Sequence, residues 1–142
     1  MTDITRLLLE ARRSLAGELD ADLAERGYPD LRPGHVALFL SVDRRSGSRL
    51  TDLADHTRLT KQAMMSMVDD LESHGYVRRV PDPADARAKL VRLTARGRRA
   101  AAECRRAVQA LEQRTRRQLG DRSYDTLRES LETLSEPIEP EE

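Results

Sequence analysis

Residues 50–80 read LTDLADHTRLTKQAMMSMVDDLESHGYVRRV, and this stretch decides the fold. Thr51 stands as the N-cap of a short helix over Asp52 to His56, with acidic side chains where a helix N-terminus favours them. A break at Thr57-Arg58-Leu59 leads to a second cap, Thr60, and a longer helix from Lys61 to His74. Met64, Met67, Val68 and Leu71 form its inward face, and Gly75 supplies the left-handed stop. Two capped helices a few residues apart are the helix-turn-helix pattern. Tyr76 to Val80 and Lys89 to Leu93 are β-prone, and the segment between them, Pro81 to Arg87, is read as too proline-rich to join a ladder. The two runs form a hairpin with a protruding tip. A helix-turn-helix followed by a hairpin is a winged helix, its second helix shaped for the major groove of DNA and its wing for a neighbouring groove or the backbone.

Upstream, Ile4, Leu8, Ala11, Leu15, Leu19 and Leu23 recur at helical steps up to Arg26. Gly27, Pro29 and Pro33 break that helix. The apolar run His35 to Val42 is read as a helix, although periodicity alone does not separate it from a strand, and Arg44 to Ser48 as a polar turn. Downstream, Thr94 caps a long helix from Ala95 to about Leu119 with a stripe of Ala101, Cys104, Val108, Leu111 and Thr115. After Gly120 a last helix carries Tyr124, Leu127, Leu131, Leu134 and Ile138. Residues 139–142 are read as the end of a disordered acidic tail.

Charged residues are 35% of the 142, apolar residues 38% and aromatic residues 3%, with 25 basic side chains balancing 25 acidic ones. That balance separates the chain from disordered sequences, which combine low hydrophobicity with large net charge. Neutrality hides a segregation: residues 58–99 carry +5, residues 1–57 carry −2 and residues 100–142 carry −3. A basic block between acidic arms suits a polyanion. The longest apolar run, Val36 to Leu40, is far below the roughly 20 residues that span a bilayer. With a single cysteine, Cys104, and no secretory pattern at the start, a cytoplasmic protein is expected. Cys104 lies on a helical stripe and is read as a buried structural residue. His35, His56 and His74 share no metal-ligand spacing, so neither metal nor cofactor is expected. No phosphate loop, nucleophile elbow or nucleophile–base constellation points to an enzyme.

Six pieces in order, Leu50 to Ala54, Thr60 to Met64, Val68 to Glu72, Gly75 to Arg79, Asp82 to Arg87 and Leu93 to Gly97, resemble the MarR family of winged helix-turn-helix regulators. The likeness is dense over about residues 31–98. It implies a mainly α fold with a small β-hairpin wing: an N-terminal dimerisation helix (1–30), the DNA-binding domain (31–98) and C-terminal dimerisation helices (99–138). It further implies a homodimer on a pseudo-palindromic operator, a repressor released by a small-molecule effector. The stripes of residues 1–26 and 100–138 agree, since one small winged helix does not bury them alone.

Within this frame Lys61, Gln62, Met65, Ser66 and Asp69 share the outward face of the second helix. Gln62 and Ser66 are one turn apart, and glutamine reads adenine through paired hydrogen bonds. Lys61 and Thr60 suit phosphate, because an ammonium and a helix N-terminus both favour anions. The family's Asp-x-Arg wing unit is matched by Asp85 and Arg87, with Arg87 entering the minor groove and Asp85 orienting its guanidinium or bracing the wing. Ala86 stands where many members carry another arginine, which removes one backbone contact. Arg78, Arg79, Lys89 and Arg92 are further backbone candidates. Tyr28, His35 and Phe39 fall near the junction where effector pockets of the family lie. The alternative function is a winged-helix protein-interaction module without DNA binding, against which the +5 block and Arg87 weigh.

Overall fold

The computed structural model describes residues 1–136. The elements in order are α1 (Ile4–Glu25), α2 (Pro33–Ser41), β1 (Ser48–Arg49), α3 (Leu50–Thr57), α4 (Lys61–Ser73), β2 (Val77–Asp82), β3 (Asp85–Leu93), α5 (Ala95–Leu119) and α6 (Asp121–Ser135). They divide into two compact units, Met1–Ala107 and a second beginning at Val108. Ile138 and the tail 139–142 lie outside the described residues.

In the first unit α1 starts where the Asp3 carboxylate accepts the Arg6 N–H at 3.0 Å. Of its apolar stripe only Leu19 and Leu23 are buried, while Ile4, Leu8 and Leu15 remain exposed. Arg26 fixes its end, reaching Asp22 and, on α5, Glu103 at 3.0 Å each. The run that periodicity left open between helix and strand is helical. Proline in the first turn of α2 and the Arg32 N–H donating to His35 Nδ1 at 3.0 Å start that helix. Val36, Leu38 and Phe39 fill the core beneath it.

Two local expectations are corrected. Thr51 is not an N-cap: α3 begins at Leu50, directly from Arg49, with no side-chain cap. The cause is long-range, because Ser48 and Arg49 form a third strand opposite Val91 and Leu90 of β3, and the helix departs from that ladder. The segment after Val80 does join the ladder, with Pro81 opposite Lys89 and Asp82 opposite Asp85 across a register shift. Pro81 is accommodated because the strand order β1-β3-β2 puts β2 at an edge, where no partner needs the missing N–H. Only Pro83 and Ala84 make the turn at the tip.

The hairpin and α5 meet at Tyr76, whose ring is 1% exposed. Its hydroxyl donates to Asp30 at 2.9 Å and accepts from Arg96 at 3.0 Å. Phe39 meets the ring edge-on at 5.7 Å between centroids. The Tyr76 carbonyl accepts the Thr94 N–H at 3.0 Å, and Thr94 Oγ1 in turn accepts the Gly97 N–H at 3.0 Å, capping α5. At Gly97 a Cβ would sit 1.9 Å from that same Tyr76 carbonyl oxygen, so the helix passes where only glycine fits. Ala100, Ala101, Cys104 and Ala107 continue this small-residue face inward. Burial pushes the Cys104 thiol up to about 11, out of thiolate reactivity near neutral pH. Val108, Leu111 and Thr115, expected on the same stripe, are only half-buried.

In the second unit Tyr124 is buried beneath the Arg116 guanidinium, 4.4 Å above its ring. Leu127, Leu131 and Leu134 on α6 stay exposed.

Gly97→Ala is expected to destabilise the protein by about 3 kcal/mol, since the new methyl meets backbone rather than a side chain able to move. A denaturant midpoint close to the parent's would show that α5 and the hairpin have room to part.

Candidate nucleic-acid interface

The turn between α3 and α4 is built by Arg58, the single non-glycine residue with positive φ (56°) among the described residues. Its N–H donates to Asp55 at 3.3 Å and that of Leu59 to Ala54 at 3.0 Å, closing the end of α3. Thr60 Oγ1 accepts the Ala63 N–H at 3.1 Å and so caps α4. Thr60 is therefore spent on the helix itself, while Lys61 and Gln62 stand exposed in its first turn. Leu53 and Ala54 of α3 and Met64, Val68 and Leu71 of α4 are buried. This fixes the rotation of α4 and turns Lys61, Gln62, Met65, Ser66 and Asp69 outward together. Met65 is 50% exposed, an apolar side chain left in solvent at the centre of the polar face.

Arg79 is held differently from its neighbours. Its guanidinium bonds Asp69 and, at 2.9 Å, Glu72, and its N–H donates to Glu72 at 3.2 Å. The side chain is 24% exposed and clamps β2 to α4. Arg78 is exposed and lies opposite Arg92 on β3, and Lys89 is exposed opposite Pro81. At the wing tip the Asp85 carboxylate accepts the Arg87 N–H at 3.0 Å, bracing the turn and leaving the Arg87 side chain exposed.

A further pair at the wing escaped the sequence reading. Asp82, 7% exposed, accepts Arg49 Nε at 2.8 Å and Nη2 at 2.7 Å through one oxygen, and the Ala84 N–H at 2.9 Å through the other. These bonds hold its carboxyl below the ordinary carboxylate range, the Ala84 N–H first and Arg49 next. They tie the wing to the start of α3. Aspartate before Pro-Ala is a readable turn signal for the Ala84 bond. Nothing local marks Arg49, which is 33 residues away.

Tyr28, His35 and Phe39 have different surroundings. Tyr28 and Phe39 pack on Tyr76, at 6.2 and 5.7 Å between ring centroids. His35 places Nε2 3.3 Å from Asp70 of α4, and its Nδ1 accepts a backbone N–H, so it is the neutral tautomer. Burial lowers its pKa in the same sense. Among the described residues no group of three or more His, Cys, Asp or Glu side chains is placed to hold a metal, and no helix is long and apolar enough to cross a membrane.

A helix-turn-helix, a three-stranded wing and an outward polar face on α4 are thus assembled around one core. Residues 29–88 match the model of the MarR family. This winged helix-turn-helix region is similar to that family. It is 35% identical over 69 residues to the transcriptional regulator HosA of Escherichia coli O111:H-, a match covering 49% of this chain and 51% of that one. It is 24% identical over 132 residues, 93% of this chain, to ExpG of Rhizobium meliloti, an exopolysaccharide II synthesis transcriptional activator, covering 66% of that protein. The chain thus spans about half to two thirds of the length of these curated relatives. The crystal structure of CouR from Rhodococcus jostii RHA1 bound to p-coumaroyl-CoA superimposes with a TM-score of 0.78 at 26% identity, covering 98% of this chain and 96% of that one. CouR bound to a 23-mer DNA duplex gives 0.82 at 24% identity, covering 94% and 93%.

The Arg49–Asp82 pair makes the wing pH-dependent in a definite direction. Because the folded-state pKa of Asp82 is lowered, its contribution is complete above the unfolded value of about 3.9 and is lost as pH falls through the folded value. Asp82→Asn is expected to flatten the acid limb of the stability profile and speed amide exchange at Ala84. An acid limb identical to the parent's would show that the pair does not brace the wing.

Proposed function

We propose that the chain is a sequence-specific DNA-binding transcriptional regulator, acting in the cytoplasm without enzymatic activity. One observation carries the reading: the core rotates α4 so that Lys61, Gln62, Met65 and Ser66 face outward together, while the wing leaves Arg87 exposed, within the same most basic block of the sequence. Lys61 holds a phosphate at the α4 N-terminus, Gln62 and Ser66 reach base edges, and Met65 meets a thymine methyl. Arg87 enters the minor groove. Arg78 and Lys89 contact the backbone. Thr60, Asp85 and Arg79 act indirectly, by capping α4, bracing the wing and clamping β2 to α4. The regulatory names of HosA, ExpG and CouR support DNA over the alternative of a protein-interaction module, as does the +5 charge of residues 58–99.

The regulator acts as a homodimer on a pseudo-palindromic operator. Ile4, Leu8 and Leu15 on α1 of the first unit, and Leu127, Leu131 and Leu134 on α6 of the second, are apolar side chains left exposed in the single chain. Residues 1–30 and 99–138 supply the dimer contacts around the DNA-binding region 31–98. The output is repression relieved by a small molecule, a reading supported by CouR, a repressor whose structure has been solved with p-coumaroyl-CoA. Of the expected effector residues Phe39 is buried, while Tyr28 and His35 are half-buried, Tyr28 packed on Tyr76 and His35 beside Asp70.

Removing residues 1–26 is expected to abolish the dimer in size-exclusion chromatography; an intact soluble dimer would place the interface elsewhere. Selection of operator variants randomised at half-site centre and flank separates the DNA roles. Lys61→Ala is expected to weaken all sequences alike and lower the salt slope by about 1. Gln62→Ala is expected to cost about 1–3 kcal/mol on the cognate site and relax the centre. Arg87→Ala is expected to relax A·T preference at the flanks alone. Loss of specificity at the centre for Arg87→Ala, or at the flank for Gln62→Ala, would reverse this docking.

A further inference from the structure

Asp69 belongs to the outward face of α4, yet the proposed DNA contacts give it no part. It follows Gln62 and Ser66 at steps of four and three, so the three side chains make one stripe along the helix. Met65, one turn before it, is exposed on the same side. A carboxylate here carries an electrostatic cost, because the phosphates that attract Lys61 repel it. Its presence on this face therefore calls for a compensating interaction.

The clamp of β2 to α4 supplies part of that compensation but does not require Asp69. Glu72 alone accepts twice from Arg79, from the guanidinium at 2.9 Å and from the backbone N–H at 3.2 Å. Asp69 adds a further bond through Oδ1, while its Oδ2 has no hydrogen-bond partner among the described residues. The Asp69 side chain is 63% exposed against 41% for Glu72. Arg79, itself tied to Glu72, thus fixes one oxygen of Asp69 and leaves the other free to accept. It also sets a positive charge beside the carboxylate, which offsets part of the repulsion by phosphate.

We infer that Asp69 reads a cytosine in the major groove, its free oxygen accepting from the N4 amino group, with Arg79 as the positioning residue that holds the carboxylate. A carboxylate discriminates there. Cytosine presents only a donor on that edge, whereas guanine and thymine present acceptors and adenine sets its N7 acceptor beside its amino group. The residues from Gln62 to Asp69 rise about 10 Å along the helix, so the cytosine falls within about three base pairs of the base that Gln62 reads. The assignment rests on the proposed function as a DNA-binding regulator, and it names one base pair of the operator.

The test is selection of half-sites from a randomised duplex library by the full chain and by its Asp69→Asn and Arg79→Lys variants. The parent is expected to prefer C·G at one pair within that distance by about tenfold over the other pairs. Asp69→Asn, an exposed and isosteric change, is expected to move that preference to A·T, because asparagine pairs with adenine N6 and N7, and to leave affinity for random DNA equal or higher. Arg79→Lys keeps the charge without the planar fork and is expected to relax the cytosine preference about fivefold, the other positions staying as in the parent. A parent profile retained by Asp69→Asn would overturn the assignment. So would an equal loss of affinity for every sequence in Asp69→Asn, which would make the residue part of the frame alone. An Arg79→Lys profile relaxed at every position alike, or at none, would overturn the positioning role. A parent that selects a defined half-site without the cytosine leaves the regulator reading standing and overturns this assignment alone, whereas a parent that enriches no sequence overturns both.

Discussion

The close passage of α5 over the Tyr76 carbonyl sets the geometry on which the elements of the proposed DNA face depend. Thr94 donates its N–H to that carbonyl, and Gly97 has no side chain to keep the helix away. Tyr76 is thereby fixed at both ends, its backbone under α5 and its ring between Phe39 and Arg96. Since Tyr76 leads directly from the stop of α4 into β2, fixing it fixes the starting directions of both. A helix offering side chains to a groove needs its rotation fixed, and packing density in a core supplies that more firmly than surface contacts do.

Electrostatics completes what packing begins. Carboxylates of the first unit are used to secure arginines that hold the frame: Asp82 for Arg49, Asp69 and Glu72 for Arg79, Glu103 for Arg26. Such pairs at a solvated surface each stabilise little. Their effect is to fix the wing against α3, β2 against α4, and α1 against α5. Lys61 and Arg87 belong to the proposed DNA face and stand exposed. The basic block of the sequence is thus a mixture of structural cations and cations presented outward, and only partners in space tell them apart.

The sequence alone determined those features whose causes lie within a few residues. Thr60 and Thr94 cap their helices, Gly75 stops α4 in the left-handed region, and Met64, Val68 and Leu71 select its buried face. Each rests on a side chain meeting backbone three or four residues away, or on helical periodicity, so the winged helix-turn-helix and the outward set Lys61, Gln62, Met65 and Ser66 were legible. Tertiary structure alone decided the rest. Ser48 and Arg49 became a strand because β3 lay beside them, which moved the start of α3 ahead of Thr51. Pro81 joined the ladder because β2 is an edge. Arg79 was turned from a backbone candidate into a clamp by Asp69 and Glu72. A sequence states which charges and which apolar faces exist, but the free energy of an ion pair depends on distance and burial, which arise only when the chain has closed on itself.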